Sequence, residues 1–238
     1  MSVKILTENI FTTACEVLVN PINCVGVMGA GIALEYRLRY PEMYTRYVAL
    51  CEQNKIDIGL LWLYKGKDKS ILNFPTKKHW KNPSKEEYLH EGLRKFVDTY
   101  KEKGIQSIAF PMLGADKGGI FPERSLNIMR TYLDPLDINI EIYQYDPNAK
   151  DDLFDSVKSW LLSRDIESIT KETGLRKNYV TKVLEAIVQP EIRQLNQLGR
   201  VKGIGIKTLE KIFSVATDIS KTEPNETSQD HTTLLLDF

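Results

Sequence analysis

Short β-rich runs alternate with amphipathic stretches over the first 145 or so residues, and two glycine-rich turns fall directly after β-rich runs. Few folds accommodate that order. Residues 3–6, 16–20, 60–64, 71–74, 106–110 and 138–145 read as strands. The stretch from about Ile32, interrupted near Pro41, and the segment Pro122–Leu133 read as helices. A further helix opens at Ser84-Lys-Glu-Glu87, which fits a capping box, and stops near Gly104. Strands alternating with helices place the region in the α/β class, with a sheet covered on both faces. In such sheets ligands collect at the carboxyl ends of the strands, where glycine turns let the backbone come close. Both turns, residues 26–31 and 114–119, have that placement.

The first turn reads Gly26-Val-Met-Gly29-Ala-Gly31 and runs into a helix. Closely spaced glycines permit positive φ and leave amides uncovered, and a helix N-terminus just beyond favours an anion. The order G-x-x-G-x-G is neither the dinucleotide fingerprint nor a phosphate-binding loop ending in G-K-[ST]. On its own this segment is as readily a structural turn as a diphosphate cradle.

Three ordered motifs decide between those readings. Residues 17–33 carry Val19-Asn20-Pro-Ile-Asn23…Gly26-Val-Met28-Gly29-Ala-Gly31-Ile32-Ala33, residues 73–80 read Asn-Phe-Pro-Thr-Lys-Lys-His-Trp, and residues 111–119 read Pro-Met-Leu-Gly-Ala-Asp-Lys-Gly-Gly. Together they resemble the macrodomain signature, and the middle motif resembles the DarG-type subgroup, whose members remove ADP-ribose from DNA bases. The resemblance covers residues 3–147 and implies a macrodomain-type mixed sheet that binds ADP-ribose or an ADP-ribosylated substrate. It also implies site roles. Asn9 stands where many macrodomains carry an aspartate facing adenine; an amide both donates and accepts, so recognition survives the exchange. Asn23 is expected at the distal ribose and Asn20 at the loop backbone, either of them alternatively a turn former. Gly26, Val27, Met28, Gly29, Ala30, Gly31 and Ile32 grip the diphosphate from one side. Leu113, Gly114, Ala115, Asp116, Gly118, Gly119 and Ile120 grip it from the other, with Thr76 beside Lys77. Tyr145 is placed to pack on adenine or in the core.

Lys77 carries the catalytic expectation. In the similar subgroup the matching lysine is essential for glycohydrolysis, and an ammonium there can protonate a departing base. Desolvated, the amine can instead attack the anomeric carbon. Trp80 with Lys78 and Lys81 offers stacking and charge to a nucleic-acid strand. Two departures stand out. Gly118 aligns where some lysine-dependent macrodomain hydrolases place an acidic residue, as it does in DarG-type members, with Asp116 two residues earlier, and Phe121-Pro122 replaces the family's tryptophan.

From Asp151 helical patterns replace the alternation. Residues 154–162 read as one helix; 166–170 and 179–187, joined at Gly174-Leu175, resemble a helix-turn-helix. Residues 198–212 resemble a helix-hairpin-helix. Nine Lys/Arg against four Asp/Glu between Lys171 and Lys211 leave a local charge of +5 in a chain whose net charge is zero. Lys177, Lys182, Lys202, Gly203, Gly205 and Lys207 are therefore the candidate nucleic-acid contacts, with a protein partner as the competing reading. The domain reading is residues 1–148, a helical domain 151–218, and a polar tail 219–238.

Three cysteines, odd in number and without CxxC spacing, argue against a disulfide framework or a zinc site. Neither a metal nor a cofactor is expected. With no long apolar run and no signal-like start, the expectation is a cytoplasmic protein with no membrane partner. The resemblance adds a partner toxin as a further expectation. It leaves two functions open, an ADP-ribosyl hydrolase and a non-catalytic ADP-ribose reader coupled to nucleic-acid binding.

Overall fold

The computed structural model describes residues 3–222, which divide into two compact units between Tyr145 and Asp146. The first unit holds six strands: β1 (Lys4–Glu8), β2 (Val17–Asn23), β3 (Trp62–Lys65), β4 (Ser70–Lys77), β5 (Ser107–Pro111) and β6 (Asn139–Tyr145). Its helices are α1 (Gly31–Arg39), α2 (Pro41–Glu52), α3 (Glu86–Thr99) and α4 (Pro122–Leu133), with a 3-10 turn at Ile10–Thr12 that the sequence pattern had not shown. The strand order is β1-β6-β5-β2-β4-β3, and every neighbouring pair is parallel except β3 with β4. The expected mixed α/β sheet is thus present.

Side chains alternate across the pleat, so each strand feeds both layers. Val17, Val19, Phe74, Ile108 and Ile142 join one core with Leu89, Leu93, Phe96 of α3 and Met129 of α4. Leu18, Ile22, Ile71, Ala109 and Tyr143 join the other with Tyr36 of α1 and Met43, Tyr47 of α2. Helices cover both faces, as continuous apolar strands of a parallel sheet require.

One irregularity makes room for a site. β2 pairs with β5 only at Val17 and Leu18, yet stays paired with β4 as far as Asn23. The two central strands therefore part towards their carboxyl ends. From β2 the chain crosses to β4 and β3; from β5 it crosses the other way to β6. This is the switch point of the sheet, where a crevice opens outside the strand ends.

Three local expectations need correction. The strands expected to stop at Asn20 and Phe74 continue through Pro21 and Pro75. Ser84 forms no capping box: α3 begins at Glu86 behind Lys85, and the Ser84 hydroxyl is buried without a partner among the described residues. The start of α1 falls at Gly31, inside the glycine turn.

The second unit is helical: α5 (Phe154–Leu162), α6 (Ile166–Thr173), α7 (Lys177–Ile187), a 3-10 segment (Leu195–Arg200) and α8 (Ile206–Thr222). Asp165 caps α6 by accepting from Ser168 N at 2.9 Å, and Gly174 ends it at φ 68°, the left-handed terminator that lets α7 turn away. The hairpin expected within 198–212 has a 3-10 first arm. Connecting residues are tied into this unit: Gln194 Nε2 donates to Asp146 O at 2.8 Å, Gln197 Nε2 to Pro147 O at 2.7 Å, and Leu195 N to Asp151 Oδ2 at 2.6 Å. Within the tail expected from residue 219, α8 continues to Thr222, and the rest of that segment lies outside the described residues.

Candidate active site

The turn after β2 is built by Asn23. Its Oδ1 accepts from Val25 N at 3.0 Å and Val27 N at 3.3 Å, and its Nδ2 donates to Val27 O at 2.5 Å. The buried Tyr47 hydroxyl donates to the Asn23 carbonyl at 2.7 Å, clamping the strand end from α2. Gly26 at φ 76° and Gly31 at φ 58° supply the reversals this path needs. Ala30 gives α1 no side-chain cap, so the first-turn amides around Gly31, Ile32 and Ala33 point out of the helix unclaimed. Gly29 and Ala30 are exposed, while the Met28 side chain is buried in the core.

The turn after β5 is tighter. Gly119 N donates to Ala115 O at 3.1 Å and Ile120 N to Gly114 O at 3.0 Å, with Gly114 at φ 67° and Gly119 at φ 81°. Gly118 O accepts from Ser84 N at 2.9 Å, which anchors this turn to the segment behind β4. Leu113 and Ile120 belong to the core. The two turns face each other: a Cβ added at Gly31 would lie 3.6 Å from Asp116 Oδ2 and 3.7 Å from Lys117 Cγ. Asp116 thus brings a carboxylate to the positive end of α1.

Lys77 ends β4 in register with Asn23. Its Nζ donates to the Lys117 carbonyl of the second turn. Partial burial holds the ammonium below the usual lysine range, and the Asp116 carboxylate opposes that shift. The neighbouring Lys78 points elsewhere, pairing with Asp57. Beyond it, Asn82 N donates to His79 O at 3.0 Å and Lys81 N to His79 Nδ1 at 3.3 Å, fixing a turn that displays Trp80.

At the opposite end of the sheet, β1 and β6 finish together, Glu8 in register with Tyr145. Tyr145 is about half exposed. Asn9 follows directly, and its Oδ1 accepts from Phe11 N at 3.0 Å while its buried Nδ2 has no partner among the described residues. The edge of the first unit therefore carries, in spatial order, Asn9, Tyr145, the second turn, the first turn and Lys77.

Some expected site residues are spent on structure. Asn20 is fully buried, and its Nδ2 donates to Asn73 Oδ1 at 2.9 Å on the adjacent strand, not to the loop backbone. Thr76 is buried with its hydroxyl 3.4 Å from Ile22 O. Sequence reasoning assigned no site role to Tyr47, Asn73 or Ser84, the last of which it took for a helix cap, because each acts through a partner distant in sequence. Asn73 alone had a signal, its place in the motif before Lys77.

In the second unit, Lys177 pairs with Glu167 at 2.8 Å, both exposed. Lys182 of α7 lies over the hairpin, since a Cβ at Gly203 would meet its Nζ at 2.5 Å. Lys202, Gly203, Gly205 and Lys207 are exposed, and of the α7 candidates Lys182 lies against the hairpin at Gly203.

A three-layer α/β unit whose central strands part at the switch point, with a glycine-rich turn after each and a lysine ending the next strand, defines the class of fold. Residues 19–129 match the Macro domain family, and the chain belongs to it. It is 39% identical over 149 residues to the DNA ADP-ribosyl glycohydrolase of Thermus aquaticus, covering 60% of this chain and 41% of that protein. It is 46% identical over 109 residues to the Mycobacterium tuberculosis protein of the same name, covering 44% and 31%. Among solved structures it resembles the macrodomain of Thermus aquaticus DarG, with a TM-score of 0.57 and 36% identity over 60% of this chain and 97% of that one. The chain therefore spans about two fifths or less of those curated relatives.

Proposed function

We propose that the first unit hydrolyses the bond between ADP-ribose and a modified nucleic acid, with Lys77 as the reacting group. The observation that carries this reading is the order along the sheet edge. Four strand spacings separate β1 from β4, roughly 19 Å, and along them lie a buried amide at Asn9, an aromatic, two amide-rich turns and an amine. That sequence of chemistries matches adenine, diphosphate and distal ribose laid end to end, leaving C1″ of the far sugar at the amine. A solved structure of Thermosipho africanus DarTG in complex with ADP-ribose is 31% identical over 61% of this chain and 42% of that one, which supports the ligand class.

Two roles suit Lys77. As an acid it gives a proton to the leaving base while the glycosidic bond breaks and water takes C1″. As a nucleophile its amine bonds to C1″, the base departs with the electron pair, and water later frees the lysine. The test is release of ADP-ribose from an ADP-ribosylated oligonucleotide by the full chain, with binding of free ADP-ribose measured in parallel. Tight binding without release on nucleic acid or protein would make the domain a reader instead.

The second unit holds the nucleic acid in this reading, supported by Lys182 lying against the hairpin at Gly203, by the exposure of Lys202 and Lys207, and by the +5 local charge. Phosphate contacts release counterions, so affinity falls steeply with salt. The full chain carrying Lys202→Gln and Lys207→Gln is expected to retain duplex DNA less well and to show a shallower log-affinity against log-salt slope, by about 1.8 for two lost contacts. An unchanged slope would reassign the surface to a protein. A relative in Thermosipho africanus is named a DNA ADP-ribosyl transferase–glycohydrolase fusion. A transferase of that kind is the partner toxin proposed here. Among the described residues no helix is long and apolar enough to cross a membrane, and a cytoplasmic site of action is proposed with it.

A further inference from the structure

The last residues of β4 carry the amine of Lys77 on a short and irregular ladder. β3 pairs with β4 from Ser70 to Asn73, so residues 74–77 run past that ladder with β2 as their partner strand. Within the β2 pairing Ile22 lies opposite Pro75 but Asn23 lies opposite Lys77, which leaves Thr76 as an extra residue, a β-bulge. Past the bulge one amide serves two carbonyls: Cys24 N donates to Lys77 O at 3.1 Å and to Lys78 O at 3.3 Å.

Register matters here because two lysines are adjacent. Closing the bulge would set Thr76 opposite Asn23 and move Lys77 on to the place Lys78 now holds. A one-residue slip of that kind turns a side chain to the other face, and the crevice would lose its amine. A side-chain latch opposes the slip. Asp57, in the loop before β3, accepts from Lys78 Nζ and, at 3.7 Å, from Cys24 Sγ, which also lies 3.3 Å from Lys77 O. The carboxylate is itself held, since Ile58 N donates to Asp57 Oδ1 at 2.7 Å and Leu60 N to Asp57 O at 3.0 Å. Its chemistry suits a latch. Burial, with the Asp57 charge adding to it, pushes the Cys24 thiol up to about 12, so the sulfur stays protonated and donates. The Lys78 ammonium holds the Asp57 carboxyl below the usual range, so the pair stays charged. Both side chains of that pair are 51% exposed, and ion pairs so exposed add little to stability.

We infer that Asp57 is a positioning residue for hydrolysis: by holding Lys78 and Cys24 it keeps the bulge at Thr76 in place, and the bulge aims Lys77 into the crevice. This rests on the hydrolase reading above and adds to it. Asp57 acts through its two partners and takes no part in breaking the bond.

The experiment uses the full chain with Asp57→Ala, Asp57→Glu, Lys78→Ala and the double variant Asp57→Ala/Lys78→Ala. Single-turnover release from an ADP-ribosylated oligonucleotide is measured beside calorimetry with free ADP-ribose and thermal unfolding. Asp57→Ala is expected to slow release about 10- to 100-fold, the range for a reacting group displaced by about 1 Å. Affinity for ADP-ribose should stay within about threefold of the parent and thermal stability should be nearly unchanged, as befits an exposed pair. Lys78→Ala should match Asp57→Ala, and the double variant should lose no more than either, because the pair acts as one unit. Asp57→Glu should recover most of the rate, since the flexible Lys78 stem can follow a longer carboxylate. The pH profile supplies a sign. Lys77 freed from its partial burial beside Asp116 should show an inflection raised towards the ordinary 10.5, whereas loss of the Asp57 charge alone would lower it. Release by Asp57→Ala at the parent rate overturns the inference. So do a lowered inflection, additive losses in the double variant, or a parallel loss of ADP-ribose affinity, which would make Asp57 a prop of the first turn. Failure of the parent chain to release ADP-ribose is a separate result, seen before any variant is compared; it removes the hydrolase reading and this inference with it.

Discussion

Lys77→Ala should bind free ADP-ribose within about threefold of the parent chain yet release it from an ADP-ribosylated oligonucleotide at least 100- to 10,000-fold more slowly, the range of a lost acid–base group. The separation of effects follows from the architecture. Binding is assigned to backbone amides of the two turns, held by Asn23, Tyr47 and the Ser84 amide, none of which touches the lysine side chain. Truncation removes only the Nζ bond to the Lys117 carbonyl and a partly buried charge. Calorimetry and single-turnover release measure the two halves. Equal release by the variant would remove Lys77 from the chemistry, and parallel loss of both would make it a binding group. The pH profile then separates the routes. Burial lowers the Lys77 pKa below its ordinary 10.5, so more amine is free in the alkaline range than an exposed lysine would supply. A nucleophilic amine requires the rate to climb with pH until that lowered pKa is passed. An acid requires it to fall through the same window. In an Asp116→Asn variant the opposing carboxylate is gone, so the inflection should move to lower pH on either route.

The parts of this site legible in the sequence were those where one residue type is compulsory. Glycines at positive φ announced both turns, and the lysine after a β-rich run announced the end of β4. What stayed hidden depended on partners far along the chain. Pro21 read as a strand terminator, yet it lies where β2 has lost β5 and pairs on one side alone, which tolerates a residue without an N–H much as an edge strand does. That same parting of β2 and β5 makes the crevice, so the misread proline marks the functional feature. Ser84 resembled a helix cap by local pattern, but its amide is committed to Gly118 O across 34 residues and the helix starts two residues later. Asn20 matched a binding motif and is instead half of a buried amide pair with Asn73. Asn9 is buried just past the end of β1, with its Oδ1 taken by Phe11 N, a pairing that the local pattern did not announce.

The second large effect is expected at Gly118, where the chain departs from relatives that carry an acidic residue in this turn. A Cβ there would overlap the Gly114 carbonyl and come within 2.6 Å of the buried Ser84 Oγ. Neither neighbour can yield cheaply. The Gly114 carbonyl accepts from Ile120 N, and the Ser84 amide donates to Gly118 itself. Gly118→Ala must therefore open the turn, with an overpacking cost of about 1–3 kcal/mol to stability and a loss of ADP-ribose affinity of at least tenfold, as the amides of residues 115–119 swing out of line. Gly104→Ala is the control: it sits at φ 68° with nothing within 4 Å of a new Cβ, so it carries the left-handed strain without the clash. It should cost about 1 kcal/mol and leave ligand affinity alone. Thermal unfolding with and without ADP-ribose reads both variants. If Gly118→Ala matches Gly104→Ala in both stability and affinity, the second turn is not a rigid wall. An acidic side chain at 118 is then sterically admissible, and its absence would need a chemical explanation. If instead the turn collapses as expected, the packing of Ser84 beneath it excludes a carboxylate at 118. The acidic group working on Lys77 has to come from elsewhere on the turn, and Asp116, already close enough to act on that ammonium, occupies the remaining position.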